Sequence, residues 1–149
     1  MKYTEKISNR LNELLEKNYD AEKGYLNAAN EVESSKLKIF FKNRASERSE
    51  FAKNLRIEIL SYGQIPEDTG TLKGTMHRNW ISLKSLLSAN DGEAILEEAI
   101  RGEKASFSEY CEILKEDAFA PSTRKMLENQ KQKIQSAINS LKLEEYLVS

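Results

Sequence analysis

Core-type residues recur at alternating intervals of four and three positions between residues 7 and 62. The first series is Ile7, Leu11, Leu14, Asn18, Ala21, Tyr25, Ala28 and Val32. This 3.5-residue period predicts an amphipathic helix over 4–32. After the break "EVESSK", a second series predicts a helix over 35–62: Leu37, Phe41, Ala45, Arg48, Ala52, Leu55, Ile59 and Tyr62. Because the break is short, we expect the two helices to be antiparallel neighbours.

Breaker residues and further helical patterns organise the rest of the chain. Ser34 or Ser35 is the expected N-cap of the second helix, and Gly63 follows its last turn. The stretch "YGQIPEDTGT" is a connection,. Helices are then predicted over 71–88, 91–117 and 122–145. The first of these carries Trp80, which we expect to pack into the core. Two hairpins joined by a crossover with a shorter helix predict an all-α, ferritin-like four-helix bundle forming one domain over 1–149.

Composition limits the classes of partner. The 149 residues include 23 basic and 24 acidic side chains, so the net charge of −1 does not indicate binding to nucleic acid or to an anionic membrane surface,. The chain contains no apolar run of about 18 residues and no apolar signal region near Met1. Cys111 is the only cysteine, which excludes an internal disulfide and a cysteine-based zinc site,. We expect a cytoplasmic protein.

Charged residues interrupt the predicted core at similar heights on three helices. Glu22 lies beside the first stripe, Glu47 and Glu50 flank Arg48 on the second helix, and Glu103 lies between apolar residues of the fourth. Burial of a carboxylate without a partner costs roughly several kcal/mol of folding free energy, unless the group takes up a proton and becomes neutral. Two kinds of partner relieve that cost: a metal ion, or a basic side chain.

The metal alternative uses Glu22, Glu47, Glu50, His77 and Glu103 as ligands of iron or manganese, since hard ions suit carboxylates. Ferritin-like di-metal sites also use a Glu-x-x-His motif on each of two helices. The chain has one histidine, and the corresponding stretches read "ERSE" and "LENQKQK".

The motif count therefore favours an Arg–Glu network without a cofactor. We expect Arg48 to be the chief partner of Glu22, with Glu103 approaching from the other hairpin. The di-metal site stays as the alternative, an all-carboxylate or single-metal site is also open, and His77 is then either a ligand or a packed side chain.

Four segments carry a family resemblance: "LNELLEKNYDAEKGYLNAA", "FFKNRASERSEFAKNLRIEI", "GTMHRNWISLKSLL" and "DGEAILEEAIRGEKASFSEY". The chain resembles, over residues 5–143, a bacterial ferritin-like four-helix-bundle family of unknown function that is distantly similar to rubrerythrins. The resemblance implies the bundle and no proven activity. We expect a non-catalytic binding or stress-associated protein, with a homodimer as one arrangement. The alternative is a di-metal protein of the ferroxidase or peroxidase type.

Overall fold

A computed structural model describes residues 3–67 and 92–148, and these residues are all-α. The helices are α1 (Tyr3–Glu31), α2 (Ser35–Ser61), α3 (Gly92–Ile113) and α4 (Pro121–Val148). No strand occurs in the two described ranges. The all-α prediction is confirmed, whereas the predicted helix over 71–88, with His77 and Trp80, lies outside the described residues.

Both ends of α2 have the expected capping residues. The Ser34 Oγ accepts a hydrogen bond from the Leu37 N–H at 3.2 Å, which makes Ser34 the N-cap,. Gly63 adopts a φ of 77° after the last turn. Its N–H donates to the Leu60 carbonyl at 2.9 Å, and the Gln64 N–H donates to the Ile59 carbonyl at 3.3 Å. This pair of bonds is a Schellman motif, which uses a residue of left-handed conformation at the position of Gly63.

The third described helix ends earlier than its pattern predicts. It ends at Ile113 rather than at residue 117, because the chain tightens into a turn in which Glu116 N–H donates to the Ile113 carbonyl at 3.1 Å,. The guanidinium of Arg124, a residue of α4, caps this end of the helix. It donates to the Leu114 carbonyl at 2.9 Å and to the Glu116 carbonyl. Carbonyls that would otherwise lack partners at the helix end are thereby satisfied.

The four helices share one core with apolar ends and a polar middle. One apolar cluster contains Tyr25, Phe41, Leu96 and Leu141, with at least one residue from each helix. The other apolar cluster lies toward the opposite end of the helices and also draws on all four. Every member of the series predicted for α1 is buried, including Asn18. The helical faces inferred from the spacing are therefore confirmed for α1.

The cross-helix hydrogen bonds fix the direction of each helix. Asn18 of α1 forms a hydrogen bond with Tyr110 of α3. Tyr25, one heptad after Asn18, forms a hydrogen bond with Glu103, one heptad before Tyr110. The helices α1 and α3 are therefore antiparallel. Since α1 is also antiparallel to α2, the helices α2 and α3 run in the same direction. The extensive helix contacts lie within the α1–α2 and α3–α4 pairs, and α2 and α3 lie diagonally across the core.

Candidate functional site

A buried ion pair lies at the centre of the four helices. The Arg48 Nη2 of α2 donates to the Glu103 Oε1 of α3, and the Arg48 Nη1 donates to the Asn18 Oδ1 of α1 at 2.7 Å. Arg48 is 2% exposed, Glu103 is 1% exposed and Asn18 is fully buried. The face of the Phe51 ring lies 5.7 Å from the guanidinium carbon. Two charges removed from water are thus held by each other and by an amide.

The second oxygen of the Glu103 carboxylate is also occupied. The hydroxyl of Tyr25, on α1, donates to the Glu103 Oε2. Tyr25 is fully buried and packs against Phe41, with ring centroids 6.1 Å apart. Burial, followed by the neighbouring Glu103 carboxylate, raises the pKa of Tyr25 well above its usual range. Tyr25 therefore keeps its proton and serves Glu103 as a hydrogen-bond donor.

A chain of neutral groups extends the site to α4. The Asn18 Nδ2 donates to the Tyr110 hydroxyl at 3.0 Å and to the Leu14 carbonyl at 2.9 Å. The Tyr110 hydroxyl donates to the Gln130 Oε1 at 2.6 Å, and the Gln130 Nε2 donates to the Phe51 carbonyl at 3.3 Å. The polar network therefore includes side chains from all four helices: Asn18, Tyr25, Arg48, Glu103, Tyr110 and Gln130.

The electrostatics of the network favour the protonated forms of its donors. Burial raises the pKa of Tyr110 to about 12, although Arg48 and the hydrogen bond from Asn18 act in the opposite direction. Burial alone lowers the pKa of Arg48, but the neighbouring Glu103 carboxylate raises it above its ordinary value. The guanidinium therefore stays charged, as an ion pair in this position requires.

The expected pairing of Glu22 with Arg48 is wrong. Glu22 is only half-buried and lies on the flank of α1 that faces α2, where its side chain interacts with Ser49 and Arg56. Burial raises the pKa of Glu22, and the hydrogen bond with Ser49 and the charge of Arg56 partly offset that increase. Asn18, one turn earlier on α1, takes the inward position instead, so Arg48 bonds to Asn18 and Glu103.

The other proposed ligands are not brought together in the described residues. Glu47 forms an ion pair with Arg44 of the same helix at 3.0 Å, and Glu50 is exposed. His77 lies outside the described ranges. Within residues 3–67 and 92–148, no group of three or more histidine, cysteine, aspartate or glutamate side chains could hold a metal ion. Among the described residues, the guanidinium of Arg48, rather than a second carboxylate, occupies the position beside Glu103.

Gln130 belongs to the network but was not singled out in the sequence. The signal was present, because Leu127, Gln130, Ile134 and Ala137 follow the same three-and-four spacing as the other core series,. All four are buried. Reading the polar member of the series as a core residue would have placed Gln130 beside the other network side chains.

A surface groove separates α1 and α3 on one side of the molecule. Its cavity volume is about 300 Å³, and Leu14 and Ile113 are among the lining residues. The Lys17 Nζ of α1 lies 2.8 Å from the Glu109 Oε2 of α3 in its wall. Apart from these two apolar residues, the lining of the groove is charged: Arg10, Glu13, Lys17, Glu109 and Glu112.

Comparison with known families gives one assignment. Residues 6–116 match the family model described as a domain of unknown function, DUF2383. The match covers most of the 149 residues, so the chain belongs to this family. A comparison with curated proteins gave no match. Among the described residues, none of the helices combines the length and apolar character needed to cross a membrane.

Proposed function

We propose that this protein is a non-catalytic, ferritin-like four-helix bundle in which an internal ion pair fills the position of a metal centre. The directions of the helices support the ferritin-like part of the proposal. Because α2 and α3 run in the same direction, the last residue of α2 and the first residue of α3 lie at opposite ends of the helices. Two antiparallel hairpins related in this way are the arrangement of ferritin-like folds.

The observation that carries the non-catalytic part is the position of Arg48. Its guanidinium lies between Asn18 and Glu103 at the centre of the core, and both Glu103 oxygens already accept hydrogen bonds. A divalent cation at the same place would be repelled by the guanidinium. To reach the Glu103 oxygens, it would also have to displace Arg48 and Tyr25, which donate hydrogen bonds to them. The arrangement favours a structural ion pair over a site that binds and oxidises a metal.

We propose a binding role for the outer surfaces, since paired side chains fill the centre of the core. The groove between α1 and α3 is one such surface. The last turns of α4 form another, where Leu143, Tyr146 and Leu147 are exposed. The link to stress, and the homodimer, are proposed from the resemblance to rubrerythrin-like proteins.

Titration with metal tests the proposal. Mn²⁺, and Fe²⁺ under anaerobic conditions, are titrated into the full chain by calorimetry, and oxygen and peroxide consumption are then measured. We expect no stoichiometric binding and no consumption above the protein-free rate.

Binding of about two metal ions per chain would contradict the proposal and favour the di-metal alternative. Two variants assign any binding that occurs. Glu103→Gln removes the central carboxylate, and Glu97→Gln is the matched control because Glu97 is an exposed residue of the same helix and is not among the proposed ligands. Binding lost in Glu103→Gln but kept in Glu97→Gln would place the metal at the centre of the core.

A further inference from the structure

The polar network lies at the seam between the two hairpins. Of its hydrogen bonds, those from Asn18 to Tyr110, from Tyr25 to Glu103 and from Arg48 to Glu103 join the α1–α2 hairpin to the α3–α4 hairpin. The bond from Gln130 to the Phe51 carbonyl also crosses the seam. Helix contacts across this seam are sparse compared with those inside each hairpin. The network is therefore a principal set of directional contacts between the two halves.

The apolar parts of the seam would tolerate a slide of one heptad. A shift of seven residues moves a helix by about 10 Å. The residues one heptad before and after Arg48 are Phe41 and Leu55, and those around Glu103 are Leu96 and Tyr110. All four are core side chains. After such a slide, apolar residues would still face apolar residues along most of the seam.

The network does not tolerate the same slide. With α3 displaced by one heptad, Leu96 or Tyr110 would stand where Glu103 stands, and Arg48 would lose its carboxylate. Glu103 would then face apolar side chains without a cation. A buried charge without a partner is strongly unfavourable, whereas a buried pair often adds little stability over apolar residues of similar volume.

We propose that the network is the register device of the fold, which selects a single alignment of the two hairpins at the expense of stability. A buried polar residue fixes the register of coiled coils in the same physical way. This inference concerns how the hairpins are aligned and is independent of any ligand.

A distance measurement between the hairpins tests the proposal. Spin labels are placed at Lys53 on α2 and Ser108 on α3, which are both exposed and lie at similar heights, in a chain carrying Cys111→Ser. The labelled parent should give one narrow distance distribution. The double variant Arg48→Met/Glu103→Leu should stay helical, melt close to the parent and show at least one additional distance population. A slide of one heptad displaces one label by about 10 Å along the helix axis.

The matched control is Arg44→Met/Glu47→Leu, which removes an Arg–Glu pair contained within α2. It should keep the single distance of the parent. One unchanged distance in Arg48→Met/Glu103→Leu would overturn the proposal, because apolar packing alone would then fix the register. An unfolded double variant would overturn it as well, since the pair would then be needed for stability rather than for alignment.

Discussion

Substitution of Arg48 by methionine should strongly destabilise the fold. Methionine keeps most of the aliphatic volume but leaves the Glu103 carboxylate buried with only the hydroxyl of Tyr25, and it removes the donor to the Asn18 amide oxygen. Removing one partner of a buried ion pair typically costs about 3–5 kcal/mol. Domains are stable by about 5–15 kcal/mol, so the loss is a large fraction of the total.

Urea unfolding followed by circular dichroism measures this loss. With a slope of roughly 1–3 kcal/mol per molar urea, a loss of about 4 kcal/mol lowers the midpoint by more than about 1 M. Arg44→Met is the control, because Arg44 is 19% exposed in its side chain and pairs with Glu47 at 3.0 Å within one helix. Pairs that retain access to solvent contribute about 0–1 kcal/mol, so the control midpoint should shift little.

Addition of Glu103→Leu to Arg48→Met separates two explanations for the loss. If stranded charge is the cause, removing the second charge should recover most of the lost stability. If the double variant is no more stable than Arg48→Met, the loss comes instead from packing, including the contact of the guanidinium with the Phe51 ring at 5.7 Å. Equal midpoints for Arg48→Met and Arg44→Met would refute the reasoning altogether.

Three further predictions concern the tyrosines and the ends of α2. Because the pKa values of Tyr25 and Tyr110 are raised in the folded protein, the unfolded chain loses these protons first as the pH rises,. The free energy of unfolding should therefore fall as the pH rises from about 10 through 12, which tyrosine absorbance and the unfolding midpoint measure,. Gly63→Ala should lower the free energy of unfolding by about 1–2 kcal/mol, because a residue with a side chain is strained at the positive φ of this position. An added Cβ meets no atom within 4 Å, so a steric clash contributes nothing to that loss. Ser34→Ala should cost about 1 kcal/mol in the same unfolding assay by removing the cap on the Leu37 N–H,.

Sequence periodicity predicted which faces of the helices are buried, including the polar members. Asn18, Arg48 and Glu103 occupy apolar positions of their series, and all three are buried as predicted. The spacing succeeds because a 3.5-residue period defines one stripe along each helix. The two caps of α2 were predictable for a similar reason, since Ser34 and Gly63 have strong local preferences.

Partners across the core were harder to predict than faces. The positions of Glu22 and Arg48 along the α1–α2 hairpin predicted that the two residues lie close together. These positions do not give the rotation of α1 about its axis, which turns Glu22 toward Ser49. The diagonal reach of Arg48 to Glu103 depends on how the hairpins dock. The carbonyls beyond the early end of α3 are capped by Arg124, a side chain from the following helix. Each of these features is a tertiary contact that no local pattern contains.

The metal content of the protein tests the central claim most directly. The full chain is purified without chelator and without added metal, and iron and manganese are measured per chain by elemental analysis. With Arg48 and Glu103 paired at the centre of the core, we predict that neither metal is present in stoichiometric amount. About two atoms of iron or manganese per chain would contradict the account and support a di-metal centre in its place.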